Sequence, residues 1–224
     1  MKKFSKITKN IFAAAVAAAI LLVPFCQGFA AEEEEGSKKE VLEVLARVNA
    51  EFGTEIALAD ENAPVKLMTQ EELDELEATM RYMAEFEIPK MRETTARAME
   101  DIAAAEAYGE KCSIDGIDSF ESVDAERIDA MQEINYAYAA LSAYYSYNTA
   151  GKPVWGDVIS KGSIANTAYN IIYEADRITI TSMDARRTLL WTGEGWYYLV
   201  VDGQLYSMQS GSQTSYFYIS TYVN

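Results

Sequence analysis

The chain reads as α+β: amphipathic helices first, in about four segments, then an antiparallel β-meander of five to six strands. Three observations predict this. Helix-start chemistry precedes apolar residues at three- and four-residue spacing through the first half. Near Asn148 the alanine- and glutamate-rich composition gives way to Tyr, Trp, Ile, Thr and Gly. Beyond it, short apolar runs alternate with turn residues, which suits hairpins better than crossovers.

The first thirty residues form a different kind of segment. Lys2, Lys3, Lys6 and Lys9 are followed by an unbroken apolar run from Ile11 to Val23, then Pro24 and Gly28-Phe29-Ala30. Such a run is too short to span a bilayer, which takes about 20 residues. A basic end, a short apolar core and a small-x-Ala exit read as a secretory signal cleaved near Ala30. The acidic run Glu32–Glu35 supports that boundary. Val23, Pro24 and Phe25 do not suit a lipobox ahead of Cys26, and no later apolar stretch is long enough to span. The expected product is an exported bacterial protein, released in soluble form, with a helical region at 31–148 and a β-region at 149–224 that could share one core.

Four helical segments are expected. Ser37-Lys38-Lys39-Glu40 resembles a capping box, and Val41, Val44, Leu45, Val48 and Phe52 follow at helical spacing up to Gly53, a C-cap glycine. A short extended piece at 55–59 lies in the connector. Thr69–Glu72 repeats the capping pattern before Leu73, Leu76, Met80 and Met83. Pro89 is expected to break or kink this helix, and Met91, Thr95, Ala98 and Ile102 resume the pattern to about Tyr108. A loop follows at 110–120. A fourth helix is expected from near Ser122, with Ile128, Met131, Ile134, Tyr138, Leu141 and Tyr145 as its buried stripe.

Strand-like runs fall at about 167–173, 177–183, 186–192, 195–201, 204–209 and 214–222. Their separators read as turns: Glu174-Ala175-Asp176, Met183-Asp184-Ala185, Gly193-Glu194-Gly195, Asp202-Gly203 and Ser210-Gly211-Ser212. Asp202-Gly203 is the strongest of them, a two-residue hairpin turn. Alternation puts Tyr197, Leu199 and Val201 on a core face, continued by Phe217, Ile219 and Val223. Trp196, Tyr198 and Val200 point the other way, with Tyr216, Tyr218 and Tyr222.

Composition narrows the chemistry. The net charge is −16, with 35 acidic residues. Loss of a leader holding four lysines and no acid would take it to −20. Such a surface repels phosphate backbones and anionic lipid, so no nucleic-acid partner is expected. The chain contains no histidine. Histidine-based triads, HExxH metalloprotease sites and the usual zinc ligand sets are therefore ruled out. No GxSxG elbow, Walker loop or dinucleotide fingerprint occurs. Cys112 would be the one thiol left after cleavage, with no intramolecular disulfide partner and no histidine base. No cofactor or metal site is expected. Asp115–Glu121 is carboxylate-rich but lacks EF-hand spacing. Glu194 and Asp202, beside Trp191 and Trp196, are the best-placed acids for a two-carboxylate glycosidase.

The positive signal is aromatic. Gly195-Trp196-Tyr197-Tyr198-Leu199 with Asp202-Gly203 resembles one unit of the Gly-Trp-Tyr-Tyr cell-wall (choline-binding) repeats, in which aromatics from successive hairpins cage the ligand. That family uses several tandem copies and this chain has one, so the likeness is to a hairpin. Flat rings with polar edges suit sugars and protein partners alike. The expected function is non-catalytic binding of an extracellular glycan or protein, with Trp191, Trp196, Tyr198, Tyr216 and Tyr218 as contact residues. The alternatives are a carboxylate-pair carbohydrate hydrolase and a structural or assembly subunit of the cell surface.

Overall fold

A computed structural model describes residues 31–108, 110–111, 126–166, 168 and 170–223. The proposed leader, Cys112, the Asp115–Glu121 run and Ser122 lie outside the described residues. The described residues from Glu34 onward form one compact unit.

Helix α1 (Ala31–Phe52) buries Val41, Val44, Leu45 and Val48 as one stripe, each such side chain contributing about 1.5–3 kcal/mol. Gly53 ends it at φ 62°, the left-handed conformation a C-cap glycine supplies. The start differs from expectation. Ser37 lies inside the helix, where its hydroxyl donates to Lys66 O and accepts from Met68 N–H. Asn49 fixes the exit by donating to Ile56 O while its Oδ1 accepts from the Thr54 hydroxyl and Ile56 N–H. That turn launches β1 (Ala57–Leu58), within the expected extended piece.

Helix α2 (Gln70–Tyr82) starts at a complete capping box formed by Thr69 and Glu72. Proline at position 89 does not break the helix. A π-helical turn (Met83–Glu87) widens the helix just before it, and α3 (Ile88–Tyr108) continues. A proline ring collides with the carbonyl four residues back, and a wider turn at that point relieves the clash.

The fourth expected helix is a correction. Its apolar residues lie in the hairpin of β3 (Glu126–Ile134) and β4 (Ala137–Tyr147). Ala130, Ala137, Ala139, Leu141 and Ala143 are its buried apolar residues, a two-residue alternation that the larger side chains at helical spacing obscure. Adding β5 (Pro153–Ala165) completes a three-stranded sheet ordered β3-β4-β5. The strand-rich part therefore begins at Glu126 rather than near 149.

The second sheet is ordered β1-β8-β7-β6-β2, with β2 at Glu110–Lys111. Its body is a meander of three long strands: β6 (Ile171–Met183), β7 (Thr188–Val201) and β8 (Gln204–Tyr218). The six expected runs have merged in pairs. Asp202-Gly203 is the expected hairpin turn, with positive φ at both residues, and Asp184-Ala185 turns the chain between β6 and β7.

The other three expected turns lie side by side within strands. Ala175 pairs with Gly195, which pairs with Gly211, and Asp176 is the extra residue of a β-bulge opposite Gly195-Glu194. A Cβ on Gly195 would sit 1.9 Å from Glu174 O, one on Gly193 2.3 Å from the Trp191 ring, and one on Gly211 2.5 Å from Thr95 Oγ1. These glycines serve close approach rather than chain reversal.

A single core joins α1, α2, the π turn, the first turn of α3 and the inner faces of both sheets. Trp155 of β5 donates its indole N–H to Phe217 O across 3.0 Å, joining the two sheets. Tyr222 follows a short 3₁₀ turn and packs on Trp155 and Phe217, which places it on the core side instead of the outer face. No helix among the described residues is long and apolar enough to cross a membrane.

Candidate functional site

Register sorts the residues of the outer face of the five-stranded sheet into rows across the strands. Leu190 pairs with Tyr216, Thr192 with Thr214, Glu194 with Arg177 and Ser212, Trp196 with Glu174 and Ser210, and Tyr198 with Ile172 and Ser207. One end of this face is covered. Thr214 and Tyr216 both donate hydroxyls to Asp101 of α3, at 2.6 and 2.7 Å. Ala98 and Ala105 of α3 are buried apart from the main core, as are Leu190 and Thr192. The second half of α3 therefore crosses this end of the sheet, touching β8, β7 and β6, and small alanines permit the close approach.

The five sequence-predicted contact residues thus separate. Trp191 is 0% exposed on the inner face and offers no contact surface. Tyr216 is half-buried, held by Asp101 and stacked on exposed Tyr218 at 6.1 Å. Trp196 and Tyr198 lie at the open end, roughly 20 Å along the strand from the Leu190–Tyr216 row at about 3.4 Å per residue. Trp196 is 40% exposed. Tyr198 is half-buried, and burial, with the nearby charges of Glu174 and Asp176, pushes its hydroxyl above the usual phenol range. It therefore stays neutral and able to donate.

Trp196 is flanked by polar residues on both sides, and Tyr198 by Ile172 on one side and Ser207 on the other. Glu174 stands beside Trp196 on β6, and Arg177 is ion-paired with Glu194 one row further on. Ser210 and Ser212 occupy the β8 side of the same two rows. Val200 and exposed Leu205 extend the apolar strip toward the Asp202-Gly203 turn.

The Glu194–Asp202 carboxylate pair does not form. Glu194 lies within β7 facing Arg177, and Asp202 sits in the hairpin turn near Lys66. A different pair does share a cleft. Where α3 meets the adjoining edges of β3 and β8, a cleft of about 260 Å³ is lined by Arg97, Asp101, Glu133, Asn135 and Gln213, among others. Its groups are anchored: Gln213 Nε2 donates to Asn135 O, Asn135 Nδ2 to Thr94 Oγ1, and Asn166 Nδ2 to Glu133 Oε1. Sequence reading missed it because Asp101, Glu133 and Gln213 come from three distant segments and share no local motif. Among the described residues no group of three or more His, Cys, Asp or Glu could hold a metal ion.

Comparison with protein-family models, curated proteins and solved structures finds no match to this chain. Function must therefore be argued from the site itself.

Proposed function

We propose that the chain is an exported bacterial protein of non-catalytic binding function, and that its contact surface is the open end of the outer sheet face around Trp196 and Tyr198. The observation that carries the reading is Trp196, a large aromatic left 40% exposed on a rigid strand while Trp155 and Trp191 are fully buried. Trp196 continues through half-buried Tyr198 and Val200 to exposed Leu205 as an apolar strip on one face, and it is this continuity, more than one exposed ring, that supports an interaction surface. The strand beneath Trp196 is paired on both sides, so the backbone that carries the ring is fixed before any ligand arrives. Export rests on the basic, apolar and small-residue pattern of residues 1–30.

The test compares the wild-type protein with Trp196→Ala and Tyr198→Ala in binding to cell-surface glycans and proteins, with thermal melting to verify the fold. Weakened binding in folded variants supports the surface. Unchanged binding removes it. Amino-terminal sequencing of protein recovered outside the cytoplasm tests export, with Ala31 the expected first residue.

A second reading, a carbohydrate hydrolase, has one observation in its favour: Asp101 and Glu133 line the same cleft. It ranks second because both Asp101 oxygens already hold hydroxyls of β8, an anchoring task. Glycan cleavage abolished by Glu133→Gln would reverse the ranking.

A further inference from the structure

We propose that the ligand of this surface is an uncharged, extended glycan of at least two sugar rings, lying along β7 over Trp196 and Tyr198. This rests on the reading of these two residues as the contact surface and goes on to name its ligand class.

Spacing sets the shape of the ligand. Residues two apart on one strand face share a side and stand about 7 Å apart. Two rings in file along β7 thus offer successive stacking positions to a linear chain, whereas a single sugar ring would cover only one. The borders set its chemistry. Glu174 and Ser210 flank Trp196, Ile172 and Ser207 flank Tyr198, and Arg177, Glu194 and Ser212 form the next row beyond Trp196. A sugar ring presents C–H groups to a stacking partner and hydroxyls around its rim, matching an apolar strip edged by Glu174 on one side and by Ser207 and Ser210 on the other. A protein partner would instead favour a desolvated apolar centre with pockets for its anchoring side chains.

Charge excludes anionic glycans. Glu174, Asp176 and Glu194 surround the platform with Arg177 as the facing cation, on a chain of net charge −16. Uronic, sulfated or phosphorylated chains would meet repulsion.

Trp196 also provides the assay. Of the three tryptophans, Trp155 is 1% and Trp191 0% exposed, so changes in indole emission on ligand contact report on Trp196. The full chain is titrated with uncharged linear oligosaccharides of one to six units, including glucose-, mannose- and N-acetylglucosamine-based series, and with uronic-acid oligomers of equal length. The expected result is a saturable emission change that strengthens at least tenfold from one unit to three. Binding read by isothermal titration calorimetry, which needs no indole, should be weak or absent with uronic oligomers, lost in Trp196→Ala and kept in Trp196→Phe, which retains a stacking ring. Silence toward every uncharged oligosaccharide up to millimolar concentration overturns the proposal, as does a preference for uronic oligomers. If a purified surface protein or a uronic oligomer binds in a Trp196-dependent way instead, the glycan class falls and the contact surface stands. If the Trp196→Ala/Tyr198→Ala double variant, still folded, matches the wild type in every calorimetric titration, both fall.

Discussion

Tyr136 donates its hydroxyl to Glu87 across 2.6 Å, tying the turn of the β3–β4 hairpin to the π-helical turn between α2 and α3. Two local departures from regular geometry meet at this bond. Tyr136 holds φ at 64°, a conformation rare for an aromatic residue, and Glu87 sits where the helix takes its wide turn. Lys90 Nζ donates to the same carboxylate at 2.7 Å, and Tyr82 lies 3.4 Å away. The Tyr136 ring packs edge-on against Tyr197, carrying the contact into the core.

Glu87→Gln and Tyr136→Phe are therefore expected to destabilise the fold by about 1.5–3 kcal/mol each, the range for hydrogen bonds to a charged group. The effect should depend on pH in a fixed direction. Burial alone would raise the Glu87 carboxyl, but the hydrogen bonds from Lys90 and Tyr136 outweigh it and hold the group below its ordinary 4.5. A lowered folded-state value means that the contribution is complete above the ordinary carboxylate range and lost as pH falls through the lowered value. Urea midpoints measured from pH 7 down to pH 3 should show the gap between wild type and Glu87→Gln closing below about 4.5. A gap that widens on acidification would contradict this.

Gly195 and Gly162 make a matched pair of substitutions. A methyl on Gly195 meets a backbone oxygen at 1.9 Å, which cannot swing aside, while one on Gly162 meets nothing within 4 Å. Gly195→Ala is expected to cost more than about 3 kcal/mol or to prevent folding, the scale of overpacking in a rigid setting. Gly162→Ala should stay within about 0.5 kcal/mol of wild type. Thermal and urea denaturation of the two variants side by side decide it, and a well-folded Gly195→Ala protein would show that the backbone of the bulge opposite Gly195 yields to the added methyl.

The same glycines explain how much the sequence revealed. Gly193-Glu194-Gly195, Glu174-Ala175-Asp176 and Ser210-Gly211-Ser212 carry turn chemistry, and a single chain read locally has no means of telling a reversal from a bulge. The difference lies in what stands opposite, and here the three segments are one another's neighbours. Asp202-Gly203 was legible because a two-residue hairpin needs two positive φ values, a demand met within the dipeptide itself. The Thr69 capping box was legible for the same reason. The β3–β4 hairpin was not, because its inner face is built from alanines whose two-residue period is weak beside that of Ile128, Met131 and Ile134. Alternation correctly separated Trp196 and Tyr198 from Tyr197 and Leu199. It had no access to α3, whose path over Leu190 and Thr192 leaves Trp196 at the open end and puts Tyr216 in contact with Asp101.

The two buried tryptophans differ in one respect. Trp155 satisfies its indole N–H on Phe217 O, whereas the Trp191 N–H is buried with no partner among the described residues. Replacing either with Phe removes a similar volume, but Trp155→Phe also loses an intersheet hydrogen bond and Trp191→Phe removes a donor already paying its desolvation cost. Trp155→Phe is expected to be the more damaging by about 1–2 kcal/mol. Equal urea midpoints would mean that the Trp155 bond contributes nothing net.

The last relationship concerns the exposed side of β8, where β1 pairs only with Tyr206 and Ser207. An unpaired strand edge is a site for adventitious pairing, and α3 covers it. Thr95 Oγ1 accepts from Ser212 N–H at 3.3 Å, Arg92 donates to Gln209 at 3.0 Å, and Asp101 holds Thr214 and Tyr216. Asp101→Ala removes two of these ties at once and should lower stability by about 2 kcal/mol, near twice the typical net value of one hydrogen bond. Its local signature should be stronger than its global one. Amide exchange at Ser212 should accelerate more than at Tyr197 in the paired centre of β7, because the edge opens before the sheet does. Equal acceleration at both amides would mean that α3 and the sheet unfold as one unit and that the cover has no independent motion.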